Sequence, residues 1–505
     1  MKLQNVPSQV LVLAIIVLCF ITRLPQILSP NLLLDGDESI LGLMAKHLSE
    51  GKEFPVIFYG QSYGFSLIET LFGATAFRLF GVNAIALRLS LLLLWSIGTV
   101  FIFLTLLELT DKKWALILIL LFIFIPAWAI GSMKARGGYI TAFTLSSFVI
   151  YLIIKTDKQI SNLTIMILGM ITTIIYLSRL FWIPGLLAIF VHWFLIKNKN
   201  LKGFILLIAI SILTYFLFDF IVQKPNVYWH PDPERGADFI KYLLAIPNRI
   251  YYNMTGSYCL ENNIKLGIFD RIATLLWANL IILLGGMQIY RIIKRKYLPW
   301  SHVFFIATLL TLSYTPFISH AYGARYLLPY SQFLVLCLVV ETIDFIKTKA
   351  PFRKYIYSLI GILTITSFGA LMEFKNFNFL PPVSEKKIPE KQRVDDLISF
   401  LLSKDVHHTF VLESMFQWEV MFYSKEQITC RYTSSKDRYP TYPKLVNKAY
   451  IDGKPTALIG YKSYMLGLDT CAGIKNDFIF IDNRYFVLLN PSKELLKSQS
   501  FELPE

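Results

Sequence analysis

Long apolar stretches, each followed by a short basic one, recur along most of this chain and constrain its fold more than any other feature. Residues 9–20, 91–107, 115–130, 205–218, 272–289 and 327–340 are almost free of charge. A helix needs about 20 mostly apolar residues to cross the hydrocarbon core of a bilayer. Within lipid such a segment has to be helical, because nothing but its own backbone can satisfy its N–H and C=O groups. The charge content agrees: 16% of the 505 residues are charged, against about 25% in a soluble protein. We predict eleven spans, at 9–28, 84–109, 114–132, 139–155, 162–178, 180–196, 203–221, 268–290, 302–318, 326–345 and 355–372. The first has a basic start but no small-residue cleavage site, and Arg23 follows directly. It reads as an uncleaved helix and not as a signal peptide.

The net charge of +15 invites a nucleic-acid reading, but its distribution argues against one. Lys112-Lys113, Lys155 with Lys158, Lys197-Lys199-Lys202, Arg291-Lys294-Arg295-Lys296 and Lys347-Lys349-Arg353-Lys354 all sit between apolar spans. Excess Lys and Arg mark short cytoplasmic loops. With the N-terminus inside and spans alternating, every one of these clusters falls in an inside loop. Residues 64–80 are apolar but interrupted by Glu69. Counting them as a span would invert every later loop, so they are expected as an amphipathic helix on the outer surface.

Three substantial segments are then outside: 29–83, 223–266 and the tail from 373. Residues 1–372 form the transmembrane domain and 373–393, with Pro381-Pro382, a linker. Residues 394–505 form a small extracytoplasmic α/β domain. In it a helix is predicted over 394–402 and strands over 409–412, 457–460, 478–481 and 485–489, the last two flanking Asp482-Asn483-Arg484 as a hairpin. Of the five cysteines, Cys259, Cys430 and Cys471 lie outside. Three thiols allow at most one bridge, so this is no disulfide scaffold; Cys430 with Cys471 is one pairing.

Chemistry is expected at the outer face. Asp35-Gly36-Asp37-Glu38 follows the first span. A carboxylate at the lip of a partly buried cavity can accept a proton from a sugar hydroxyl or an amine. The plainer reading is a solvated turn with Asp37 capping a helix. Asp35-Gly36-Asp37 also matches the short Asp-x-Asp element by which sugar-nucleotide enzymes hold a metal. Arg136, Arg179 and Arg325 each stand at the outer end of a predicted span. Ionisable residues at membrane depth usually face a cavity or a partner, and an arginine fork suits a phosphate. Snorkelling toward headgroups is the alternative. Three arginines on one side, beside the carboxylates, favour a shared anionic site. The loop Tyr228-Trp229-His230-Pro231-Asp232 mixes aromatic, His and acidic residues, so His230 and Asp232, with Tyr63, are candidates for lining a sugar site. His47, His320 and His407-His408 lack metal-ligand spacing and read as structural or surface residues.

Several motifs resemble those of the polytopic glycosyltransferases that use polyprenyl-phosphate sugars, the GT-C superfamily of protein O-mannosyltransferases and the lipid A aminoarabinose transferase. They are Asp37-Glu38 leading to Leu48-Ser49-Glu50-Gly51, then Arg78-Leu79-Phe80-Gly81-Val82 with Arg88-Leu89, then Arg325-Tyr326-Leu327-Leu328-Pro329. Their order and spacing cover most of residues 9–345. The chain departs from the pattern at Tyr59-Gly60-Gln61-Ser62-Tyr63-Gly64, where many relatives carry a His-Pro-Pro-Leu-like stretch. The tail resembles the domain of bacterial members, with Asp437-Arg438-Tyr439-Pro440 as a recurring element.

The resemblance implies a GT-C-like helical membrane fold, in a bacterial inner or plasma membrane. It implies inverting transfer of a hexosyl or pentosyl group from a polyprenyl-phosphate sugar to a lipid, glycan or protein acceptor outside. Asp37, with Glu38, would act at the acceptor, and Arg325, with Arg136 or Arg179, at the leaving phosphate. No metal is required, although Asp35 and Asp37 could hold one. No nucleic-acid partner is implied. A lipid-sugar flippase or transporter is the rival class; it would place polar residues at mid-membrane, often in related halves. A non-catalytic subunit presenting the tail would leave Asp37-Glu38 and Arg325 unexplained.

Overall fold

The computed structural model describes residues 6–29, 33–61, 63–156, 160–222, 239–256, 267–318, 324–348, 351, 353–373, 389–433, 437–465 and 477–503. Every predicted span coincides with a helical segment. The first is α1, Ser8–Ile27. Two helices of the loop after it follow, α2 (Gly36–Ser49) and α3 (Leu67–Phe80). Then come α4 (Ala84–Leu109), α5 (Lys112–Phe124), α6 (Tyr139–Lys155), α7 (Asn162–Ser178), α8 (Ile183–Phe190) and α9 (Leu201–Ile221). Two short helices, α10 (Phe239–Leu244) and α11 (Ile246–Met254), precede α12 (Ile268–Ile293), α13 (Pro299–Ile318), α14 (Leu328–Thr348) and α15 (Arg353–Glu373). Among the described residues, seven helices are long and apolar enough to cross a membrane, by length and composition, or eight if one bent pair is a single span. α6 and α7 are shorter apolar helices.

One predicted span is broken and another changes helix type along its length. Residues 114–132 form α5 and then 3-10 turns over Pro126–Trp128 and Gly131–Met133, bent by 59°. Pro126 lacks the N–H that would continue the α-helical ladder. The bend carries Lys134 and Arg136 over the start of α2. Residues 180–196 begin as a 3-10 turn, run through α8 and end in a π-helical turn over Val191–Lys197. The expected amphipathic helix is α3, 14 residues long, packed on α2 and α4. Its one carboxylate, Glu69, is fully buried.

The tail folds as an α/β unit. Helix α16 (Glu390–Ser403) leads to β1 (His408–Val411), α17 (Phe416–Tyr423), β2 (Thr429–Arg431) and α18 (Thr441–Ile451). β3 (Thr456–Tyr461), β4 (Ile479–Ile481), β5 (Tyr485–Leu489) and α19 (Lys493–Ser498) complete it. The sheet order is β2-β1-β3-β5-β4. β1 runs parallel to both neighbours, whereas β4 and β5 form the expected antiparallel hairpin. Phe410, Leu458, Phe486 and Leu488 pack with Val446 of α18 and Leu495 and Leu496 of α19. Cys430 is a free, buried thiol that accepts from Thr409 Oγ1; Cys471 lies outside the described residues.

The tail seats on α2 by close backbone approach. A Cβ at Gly36 would stand 2.6 Å from Met415 Cβ, and one at Gly42 would stand 2.5 Å from the Phe422 ring. Only glycine lets α17 lie this near α2. Beside that contact, Glu426 accepts from Lys46, from His47 Nε2 (3.0 Å) and from Tyr442 Oη (2.7 Å). His47 Nδ1 meets Tyr59 Oη at 2.9 Å, and Tyr59 and Tyr439 both donate to Glu53. Burial opposes the charge of Glu426, but these bonds outweigh it and hold its pKa at about 2.

Candidate active site

The start of α2 is fixed by a reciprocal cap. Asp35 Oδ1 accepts from the Glu38 N–H at 3.1 Å, and Glu38 Oε2 accepts from the Asp35 N–H at 3.2 Å. This is a capping box. Asp35, not Asp37, is therefore the N-cap, and Asp37 is spared that role. Glu38 points inward and is 1% exposed, with Lys134 Nζ at 3.4 Å and Arg88 at 3.8 Å. The side chains of Asp35 and Asp37 are 27% and 25% exposed, and these carboxylates line the opening.

Four cations from three distant parts of the chain converge on this acidic turn. Arg136 spans the two aspartates with its fork: Nη2 lies 2.5 Å from Asp35 Oδ2 and Nη1 2.7 Å from Asp37 Oδ2. Lys134 Nζ lies 2.7 Å from Asp35 Oδ2. Arg88 of α4 donates to the Leu33 carbonyl at 2.6 Å. Arg438, from the tail, brings Nη1 to 3.8 Å from Asp37 Oδ1. Burial raises the pKa of Asp35, yet Arg136 and Lys134 prevail and hold it well below the usual carboxylate range.

The other two predicted arginines belong to the same face. Arg179 donates to the backbone carbonyl of Arg136. Its guanidinium stands 4.3 Å from the centre of the Tyr139 ring and 5.9 Å from that of Tyr63. Arg325 donates to Tyr326 Oη at 3.1 Å, and Tyr326 packs on Phe181. Arg179, Arg325 and Arg136 are all near enough to Tyr139 for their charges to act on its phenol. Tyr63 is exposed beside Arg179. His230 and Asp232 lie outside the described residues.

Sequence reasoning passed over Lys134, Arg88, Arg438, Glu69 and Glu419. Glu69 reaches across from α3 to accept from the N–H groups of Ile140 and Thr141 at 3.1 and 3.2 Å, capping α6 from outside. Burial raises its pKa despite those bonds. Glu419 of α17 is buried close to Asp35, Glu413 and Glu38; desolvation first, then these carboxylates, push its pKa well up. Arg88 and Arg438 did stand in recognised elements, Arg88-Leu89 and Asp437-Arg438-Tyr439-Pro440, but nothing local said which way they point. Among the described residues, no group of three or more His, Cys, Asp or Glu is placed to hold a metal ion. Asp35 and Asp37 pair instead with arginine and lysine.

No protein-family profile and no curated protein matches the sequence. Solved structures do. ArnT from Cupriavidus metallidurans superposes with a TM-score of 0.63 in its apo state and 0.60 bound to undecaprenyl phosphate. Each match is 11% identical and covers 96% of this chain and 98% of that one. The Archaeoglobus fulgidus oligosaccharyltransferase in complex with Zn and sulfate superposes at 0.56, with 13% identity over 92% of this chain and 70% of that one. The chain has a GT-C fold. The likeness to ArnT is end to end, so the GT-C fold here includes a tail domain as well as the helical body.

Proposed function

We propose that the chain is an integral membrane glycosyltransferase that moves a sugar from a polyprenyl-phosphate donor to an acceptor outside the cytoplasmic membrane, with inversion. The observation that carries this reading is one juxtaposition. An accessible carboxylate, Asp37, lies against arginine forks at one end of an apolar helical body. Its fold is that of ArnT, a protein crystallised with undecaprenyl phosphate. Asp37 accepts the proton of the acceptor hydroxyl or amine as that atom bonds to the anomeric carbon. The bond from that carbon to the phosphate oxygen breaks, and the electron pair leaves on the lipid phosphate. Arg325, Arg136 and Arg179 stabilise the negative charge that develops there, as fixed donors do at any developing oxyanion. Glu38 keeps Arg88 and Lys134 in place beneath Asp37.

In this reading eleven helices span the membrane, with the N-terminus inside and the tail domain, residues 394–505, outside. A reporter active only outside should give signal at Gln499 and none at Lys199; the reverse pattern inverts the topology and rejects the site. The chemical test is release of labelled sugar from a synthetic polyprenyl-phosphate sugar by the purified full chain. Movement of intact donor between leaflets without cleavage of the sugar–phosphate bond would assign the chain to the flippases.

A further inference from the structure

We propose that Arg136 is a latch on Asp37 that the donor phosphate opens, so that the base is freed only when donor is bound. The inference rests on the donor reading above. In the structure Arg136 is committed to two carboxylates, and an arginine so engaged is not offering its fork to a phosphate. Equally, Asp37 Oδ2 is occupied by the Arg136 guanidinium at 2.7 Å, so that oxygen is not open to an acceptor's proton. As the site stands, Arg136 and one oxygen of Asp37 therefore occupy each other.

The surroundings let Arg136 change partners without stranding a charge. Asp35 keeps Lys134 at 2.7 Å and the Glu38 N–H at 3.1 Å. Asp37 keeps Arg438 at 3.8 Å, which is close enough to orient it and too far to hydrogen-bond it. A phosphate drawing the fork away would replace two carboxylate partners by one group whose paired oxygens the planar guanidinium can hold bidentately.

The backbone at the pivot is tightly held. Arg179 holds the Arg136 carbonyl. Gly137 and Gly138 follow with φ of 57° and 103°, conformations that favour glycine. A Cβ at Gly137 would stand 2.6 Å from the Phe58 ring, and one at Gly138 would stand 2.8 Å from the Ser178 carbonyl. The backbone is clamped on both sides, so the exchange is a rotation of one side chain. It imposes an order on the reaction: donor first, then proton removal from the acceptor.

The test is binding, not turnover. Undecaprenyl phosphate is titrated into the purified full chain, with undecaprenol as the phosphate-free control. Asp37→Asn removes a competitor for Arg136, so it should bind the phosphate about fivefold more tightly, the scale of one partly exposed ion pair, and undecaprenol no differently. In an Arg136→Gln background the same change should give no gain. That separates the latch from a simple loss of negative field, which would tighten binding whether or not Arg136 is present. Asp37→Ser serves as the second variant should the Asn form not fold. Unchanged or weaker binding by Asp37→Asn, or a gain that survives Arg136→Gln, overturns the latch. A wild-type chain that prefers undecaprenyl phosphate no more than undecaprenol overturns the donor reading itself.

Discussion

The molecule contains two arginine–carboxylate networks near opposite ends of its helical body, and they are built to opposite rules. At the end away from the site, Glu341 of α14 is 2% exposed. It accepts from Gln288 Nε2 (2.8 Å), Ser301 Oγ (2.5 Å) and both Nε and Nη2 of Arg291 (3.0 and 2.8 Å), while Arg291 also reaches Asp344 at 2.5 Å. It ties α12, α13 and α14 together. At the site, Asp35 and Asp37 keep a quarter of their side-chain surface, and Arg438 stands beyond hydrogen-bond reach. The first network closes on one buried carboxylate, Glu341, whose partners all lie at hydrogen-bond distance. The second has no buried aspartate and holds one cation, Arg438, loosely.

The comparison can be broken most decisively at Arg291. Arg291→Ala would leave the buried Glu341 carboxylate uncompensated, a change that costs about 3–5 kcal/mol. Denaturant melts in detergent should show that loss, with sugar transfer per folded molecule unaltered. Normal stability with lost turnover would instead make the inner network functional. Asp37→Asn should do the converse. Single-turnover transfer falls by about 10³-fold, within the range of a general base, while the melting curve stays put because Asp35, not Asp37, caps α2.

Arg325 sharpens the outer half of the contrast. If it forks onto the leaving phosphate, Arg325→Ala should slow single-turnover transfer by about 10²-fold. Arg325→Lys should be impaired but measurable, because it keeps the charge and loses the planar fork. A Lys variant indistinguishable from wild type, with Ala less than about threefold down, would make Arg325 a membrane anchor that snorkels to the headgroups.

The smallest effect concerns the seat of the tail. The bonds from His47, Lys46 and Tyr442 depress the pKa of Glu426 to about 2, below the ordinary carboxylate value of about 4.3. A depressed pKa contributes stability above the unfolded value and loses it as pH falls through the folded one. Glu426→Gln should therefore cost about 1–2 kcal/mol near neutrality, the size of hydrogen bonds to a charged group. Its melting temperature should converge with that of wild type between about pH 4 and pH 2. A constant gap across that range would remove Glu426 from the coupling.

The sequence by itself determined what is local. Apolar length marked the helical segments, and α4, α6 and α7 begin and end where they were predicted. The hairpin of β4 and β5 was legible in two short apolar runs flanking Asp482-Asn483-Arg484. β2 is only three residues long, too short to show a period, and α18 has an apolar face but carries Pro443 within it. The clustering of Arg136, Arg179 and Arg325 was legible only as three arginines on one side of the membrane.

Which carboxylate each arginine would meet was decided by tertiary structure alone. Capping depends on one turn of backbone, yet even there three acidic residues in four competed, and the reciprocal bond with Glu38 settled it on Asp35. Arg136 and Arg438 reach Asp37 across 99 residues and across the boundary between the helical body and the tail. What brings them is the bend after Pro126 and the glycines that let α17 press on α2. Partition into lipid and helical periodicity act residue by residue and leave a mark in the sequence. A contact between distant charges exists only once the helices have packed, so no stretch of sequence carries it.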